Sequence, residues 1–360
     1  MAEAEPRLTK KEGSLGVLHV PVLATQNSTL QIHFHLIPPD GSSEPAMTVT
    51  VDDTYAEAFR SLYVEFMVTA RDRHWLDIAV QNATGHGSSS IMCDCEAGVD
   101  RYVGPGGDES VATPDGRPGA ICQLHVPRFW KHRVAALEKA LLARVSQSVL
   151  TCPTSRCFHV AEPQEKETSY RLGRKLAFFG DGFERLELRF DRKMWVVPTM
   201  GGDFCIDRRF GYADGVMGGN LWFAAESEEA SLDAAERAVE ACRNVPGVIT
   251  PFPGGVASSG SKAGSRYKFL FASTNERFCP TLVDDDNVES QLPVNCESVM
   301  EIIINGRSLE AVSEATQASI AAVREISGLQ LISAGNYGGQ LGKSWVWLIP
   351  KNHQMTQSEV

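Results

Sequence analysis

Two stretches of this chain concentrate the residue types that hold a polar small molecule and act on it. From Val248 to Leu282 (VITPFPGGVASSGSKAGSRYKFLFASTNERFCPTL), strand-like apolar runs are broken by clusters of Gly, Ser, Thr, Lys and Asn, and Ser333 to Lys343 (SAGNYGGQLGK) repeats that chemistry. Glycine lets backbone N–H groups approach a ligand closely, and the polar side chains add donors suited to an anionic, amide-rich substrate. The two clusters predict one polar cleft shared between two loops. Lys262, Arg266, Lys268 and Lys343 fall in or beside them. They are either a basic rim that holds substrate carboxylates or phosphates, or ordinary solvated cations.

A third feature is a carboxylate inside an apolar run. In VMEIIING, period-two alternation puts Glu301 on one face with Val299 and Ile303, and Met300, Ile302 and Ile304 on the other. Neither face is polar. A carboxyl kept from water titrates above its usual range, which suits a group that gives and takes a proton near neutral pH. The competing reading is an edge-strand glutamate that faces solvent.

Other chemistries fit less well. YGGQLGKS (Tyr337–Ser344) resembles a phosphate-binding loop, but Tyr stands where the first Gly belongs, the spacing is one short, and a strand follows where a helix N-terminus is needed. Neither Cys93 and Cys95 nor Cys152, Cys157 and His159 have paired zinc spacing, so buried thiols are expected and no metal. No G-x-S-x-G elbow is present, and His86 in TGHGSSS reads as a loop residue.

The elements that must position these residues come from a chain of 360 residues, 43% hydrophobic, which is long enough for one large domain or several ordinary ones. A formal net charge of −11 argues against nucleic acid as the main partner. No apolar run approaches membrane-spanning length, and nine cysteines scattered among apolar neighbours point to reduced thiols and a cytoplasmic home. Residues 1–46 are read as a tail of uncertain status, with Leu30, Ile32, Phe34 and Leu36 alternating in LQIHFHLIP, and Met47 is an alternative start.

Beyond it, periodicity predicts a strand at FMVTA, a helix near Arg73–Asn82, strands at Ser90–Cys93 and GAICQLHV, and a helix with Val134, Leu137, Leu141, Val145 and Val149 on one face. SVLTCPT reads as a strand-like run before proline. The later half repeats the order: NLWFAAES as strand, a helix over Ser231–Val245 with Leu232, Ala235, Val239 and Cys242 aligned, then strands at VIT, KFLFAS and VMEIIING. A helix over Ser308–Ile326 and strands at LQLISA and SWVWLIP close it. This order predicts an α+β fold of two split βαβ lobes, antiparallel sheets flanked by helices, over residues 47–197 and 198–350, with 351–360 a C-terminal tail.

The region from Met47 to about Pro350 resembles the formylmethanofuran–tetrahydromethanopterin formyltransferases of one-carbon metabolism. DDTYAEAF, EAGVDRYV, TPDGRPG, FFGDGFE, GGDF, VITPFPGG, SGSKAGSRYKF, ASTNERFCPTL and AGNYGGQLGK carry the resemblance, in order. It implies two ferredoxin-like lobes and formyl transfer between methanofuran and tetrahydromethanopterin as co-substrates, with no permanently bound cofactor. It further implies a homotetramer with the cleft at a subunit contact, and for bacterial members an assembly with hydrolase subunits. By the same resemblance Glu301 is the acid–base group. The implied substrate-binding residues are Pro253, Gly254, Gly255, Ser261, Lys262 and Lys268 in the first cluster, Ser273, Thr274 and Asn275 after it, and Asn336, Tyr337, Gly338 and Lys343 in the second. The tail before Met47 and a longer GPGGDESVA loop depart from the family pattern. A non-catalytic scaffold subunit and a pterin-binding module are the alternatives.

Overall fold

The computed structural model describes residues 49–160 and 168–350. The expected tails 1–46 and 351–360 and the start at Met47 lie outside them. In chain order the elements are β1 (Thr50–Val51), β2 (Tyr55–Thr69), α1 (Arg73–Thr84), β3 (Glu96–Val103), β4 (Gly119–Pro127), α2 (Arg133–Arg144), β5 (Arg156–His159), β6 (Ser169–Tyr170), α3 (Leu172–Ala177), β7 (Arg185–Arg189), β8 (Arg192–Thr199), β9 (Gly202–Asp207) and β10 (Phe210–Met217). There follow β11 (Asn220–Ala225), α4 (Glu228–Arg243), β12 (Val248–Ile249), β13 (Val256–Ala257), β14 (Lys262–Ala263), β15 (Ala272–Ser273), β16 (Ser298–Ile303), β17 (Asn305–Gly306), α5 (Leu309–Val323), β18 (Leu329–Ser333) and β19 (Ser344–Trp347).

A five-stranded sheet runs β1-β18-β11-β16-β13, and a larger one runs β12-β17-β10-β2-β5-β9-β8-β7, with β4 and β3 continuing from β2. Pairing is antiparallel except between β1 and β18 and between β5 and β9. Each sheet has its own core. Leu62, Val64 and Phe66 of β2 pack with Leu76 of α1 and Leu137 and Leu141 of α2, whereas Phe223, Ile302 and Ile332 pack with Ala238 of α4 and Val312 of α5.

β2 ties the two cores together. Its first residues, Ala56 and Ala58, belong to the second core, its later ones to the first, and β1 pairs with β18 from near the other end of the described chain. The boundary expected between 197 and 198 falls inside β8. Serine or aspartate caps start three of the helices: Asp72, Ser227 and Ser308 each accept a backbone N–H from the first turn.

Four local expectations are corrected. Ser90–Cys93 is a turn and not a strand, because Glu96 accepts both the amide and the hydroxyl of Ser90 and so offers these residues a local alternative to a ladder. SVLTCPT is not a strand: Val145 and Val149 are buried on the continuation of α2, which runs on as a single π-turn before Thr151–Thr154 turns away. In KFLFAS only Ala272 and Ser273 pair, and Phe269 and Phe271 stay exposed on a turn between Gly264 and Ala272. Val134, in the first turn of α2, is exposed, and so is Leu232, which lies off the face that α4 buries through Ser231, Ala234, Ala235, Ala238 and Cys242.

Candidate active site

Period-two alternation on β16 sends Met300, Ile302 and Ile304 into the helix-covered core and Glu301 to the opposite face. There the register aligns Ala257, Glu301, Trp222 and Ser333 in a row across four strands. β16 lies between β11 and β13, and Glu301 is only 3% exposed, so the solvent-facing edge glutamate is excluded. The Trp222 ring packs on Phe278 at 4.4 Å, which brings the segment after Asn275 over this face. Burial pushes the Glu301 carboxyl above the usual carboxylate range, and hydrogen bonding from Asn220 and Trp222 pulls it partly back.

Two polar residues not predicted from the sequence organise what lies beside Glu301. Asn220 opens β11; its Nδ2 donates to Glu301 Oε1 at 2.8 Å, and its Oδ1 accepts the backbone N–H of Gly335 at 2.8 Å. A side chain at Gly335 would collide with this amide, since a Cβ there lies 2.6 Å from Asn220 Nδ2. Glu57, 1% exposed, sits on β2 between Ala56 and Ala58. Its Oε1 accepts the N–H groups of Tyr337 and Gly339 at 2.6 Å, and its Oε2 those of Leu341 and Gly342 at 2.8 and 3.2 Å. One buried carboxylate thus holds the second glycine cluster from Tyr337 to Gly342. The signal was present in DDTYAEAF, where a charged residue alternates with small apolar ones, but only the loop's arrival shows what it binds.

The two clusters meet through Tyr337, whose hydroxyl donates to the Ser261 carbonyl at 2.9 Å. Burial, with the nearby Glu301 and Glu57 carboxylates, pushes this phenol well above its usual range. In the same loop Gly338 and Gly339 take φ of 66° and 77°, the left-handed region, and Asn336 bonds Thr54 Oγ1 while accepting the Gly338 N–H. Lys343 is exposed at the loop's end, and β19 follows it, so no helix N-terminus is available for a phosphate-binding loop.

In the first cluster, β14 and β15 form a short hairpin in which Ser273 Oγ donates to the Gly264 carbonyl. Lys262 is engaged by both oxygens of Glu276, and this contact holds the Glu276 carboxyl below its usual range. Lys268 is exposed on the hairpin turn, Thr274 lies 3.2 Å from Cys279 Sγ, and Asn275 is buried with its carbonyl accepting from Phe278. Pro253, Gly254 and Gly255 form a tight turn, with φ of 66° and 90° at the glycines. They line a cavity of about 1120 Å³ together with Asp100, Arg101, Arg73 and Arg243. The turn leads through Val256 to Ala257, the neighbour of Glu301 in the row.

Residues 46–199 match the profile of a family described as formylmethanofuran-tetrahydromethanopterin formyltransferase, and residues 202–349 match the one described as its proximal lobe. The chain belongs to this formyltransferase family. It is 44% identical over 301 residues to the formylmethanofuran–tetrahydromethanopterin formyltransferase of Methanocaldococcus jannaschii, covering 82% of this chain and 95% of that one. It is 45% identical over 298 residues to that of Archaeoglobus fulgidus, with the same coverage. Among solved structures, the Methanosarcina barkeri formyltransferase superposes with a TM-score of 0.76 at 42% identity, covering 83% of this chain and 97% of that one. A chain of the Methylorubrum extorquens formyltransferase/hydrolase complex, solved with methylofuran, gives 0.75 at 39%, covering 83% and 96%. In this formyltransferase, as in the solved members, sheets and helices mix.

Proposed function

We propose that this chain transfers a formyl group between a methanofuran-type amine and a tetrahydromethanopterin nitrogen, with Glu301 as the proton-carrying group. The observation that carries the assignment of Glu301 is its burial at the centre of the row, beside the junction of the two glycine clusters. Moving a formyl group between nitrogens passes through a tetrahedral carbon that bears an oxyanion and two amines. The attacking nitrogen must lose a proton and the departing one must gain one. A carboxyl whose protonated form burial favours gives its proton to the departing nitrogen and recovers one from the attacking nitrogen. Because the N–H groups of the second cluster from Tyr337 to Gly342 are largely taken by Glu57 and Asn336, backbone N–H groups of the first cluster, with Ser261, Asn275 or Asn336, stabilise the oxyanion. Lys268, Lys343 and Arg266 take the acidic tails of the carriers, so that remote binding positions the reacting carbon.

The finer reading is that the chain forms two ferredoxin-like lobes, broadly residues 47–197 and 198–350, with the start of β2 and strands β9 and β10 crossing that division, flanked by tails 1–46 and 351–360. They assemble as a homotetramer in the cytoplasm, and no cofactor is permanently bound. Hydrolase subunits are the further partners, since a formyltransferase/hydrolase complex contains a similar chain. A scaffold that had lost activity would have no use for Glu301 buried against Asn220. The test is to mix the purified protein with formyl-tetrahydromethanopterin and methanofuran and follow the pterin absorbance. Glu301→Gln is expected to lower kcat by about 10²-fold or more with KM little changed. Wild-type turnover in that variant removes Glu301 from the mechanism, and a folded oligomer without transfer removes the enzyme reading.

A further inference from the structure

Asn220 holds Glu301 in a way that distinguishes its two oxygens. A backbone N–H can only donate, so the atom of Asn220 that faces Gly335 is the carbonyl Oδ1, and the atom that faces Glu301 is the NH₂ group. The orientation of the amide is therefore set by the chain and not by choice of rotamer. Glu301 Oε1 accepts from it at 2.8 Å. The Trp222 indole N–H also bears on the carboxyl and is likewise a donor.

We infer that Asn220 is a positioning residue which makes Oε1 the carbonyl oxygen of the neutral acid and so places the transferable proton on Oε2. A proton on Oε1 would point into, or compete with, the Asn220 N–H. This rests on the acid–base role of Glu301 proposed above and adds the atom from which the proton leaves. It also links the acid to the second glycine cluster, because the same amide anchors Gly335, two residues from Tyr337. Among the described residues, the groups that face Glu301 are few. From β11 come Asn220 and Trp222, from β13 and β18 the uncharged Ala257 and Ser333, and from the loop the neutral Tyr337 phenol, whose own loop is tied to Glu57.

The experiment compares wild type, Asn220→Leu, Asn220→Asp and Glu301→Gln, each checked for folding by thermal melt, in kcat against pH and in the carboxylic C=O infrared band that Glu301→Gln abolishes. The Asn220 N–H favours the ionised form, so its loss in Asn220→Leu moves the alkaline fall in kcat up by about one pH unit. It also moves the C=O band to higher wavenumber and lowers the plateau about tenfold with KM little changed. In Asn220→Asp, which keeps the Gly335 bond, a carboxylate faces Oε1. The pair then shares its proton on the wrong side, and kcat falls while the alkaline limb rises. An Asn220→Asp or Asn220→Leu enzyme with the wild-type limb and band overturns the inference, even if it is slow. Wild-type turnover in Glu301→Gln overturns the acid–base reading instead, so the two failures are separable.

Discussion

Glu57→Gln is the sharpest probe of how the substrate loop is held. In the wild type four backbone N–H groups converge on one buried carboxylate, two on each oxygen. The amide keeps one oxygen and replaces the other by an NH₂ that points donor-to-donor at two loop N–H groups. Each buried N–H left without an acceptor costs about 1–3 kcal/mol, so the variant loses on the order of 2–6 kcal/mol of loop docking. The loop is a local unit with a short tether at each end, so it should open before the sheets unfold. Amide hydrogen exchange is then expected to accelerate across residues 335–343 while β4 and β11 keep their protection, and kcat/KM should fall by at least about tenfold. Wild-type protection of Tyr337, Gly339, Leu341 and Gly342 together with wild-type kcat/KM would refute the reasoning.

Tyr337→Phe removes the hydrogen bond that joins the two clusters, worth about 1 kcal/mol, and should raise KM roughly fivefold without moving Tm; steady-state kinetics with each carrier varied in turn checks this. Because burial raises the Glu301 pKa in the folded state, its contribution to stability is full below its unfolded pKa and is lost as pH rises through the folded one. Glu301→Gln should therefore melt higher than wild type at alkaline pH and lose that advantage in acid, and parallel Tm–pH curves would contradict it. His125 is fully buried between Ser61 and Gln123, and burial pushes its imidazole down to about 3. This depressed pKa makes its contribution present above about pH 6.5 and progressively lost below, by on the order of 2 kcal/mol at pH 5. His125→Gln, which keeps a donor toward Gln123, should flatten the acid side of the denaturant stability curve, and an unchanged slope would count against it.

Much of the architecture could be read from periodicity. α1, α4 and α5 and the strands around GAICQLHV, NLWFAAES and LQLISA stand where apolar spacing put them, because their buried faces are local patterns. KFLFAS and SVLTCPT misled for the same reason: an apolar run does not say whether a partner strand lies alongside. The strands β7–β10 lie where apolar spacing predicts no element, and β2 is far longer than its apolar end, since charged Glu57 and Arg60 interrupt the apolar residues of its first half.

By itself the sequence determined the family, through motifs dense enough to be specific, and singled out Glu301, because alternation in one strand is a local property. Its burial was decided by tertiary structure, since the face of β16 away from the helices is covered by Trp222 with Phe278 and by the Tyr337 loop, which arrive from elsewhere in the chain. The same holds for Asn220 and Glu57. Their partners lie 81 and 280 or more residues away, and a hydrogen bond between such positions exists only once the sheets have brought them together.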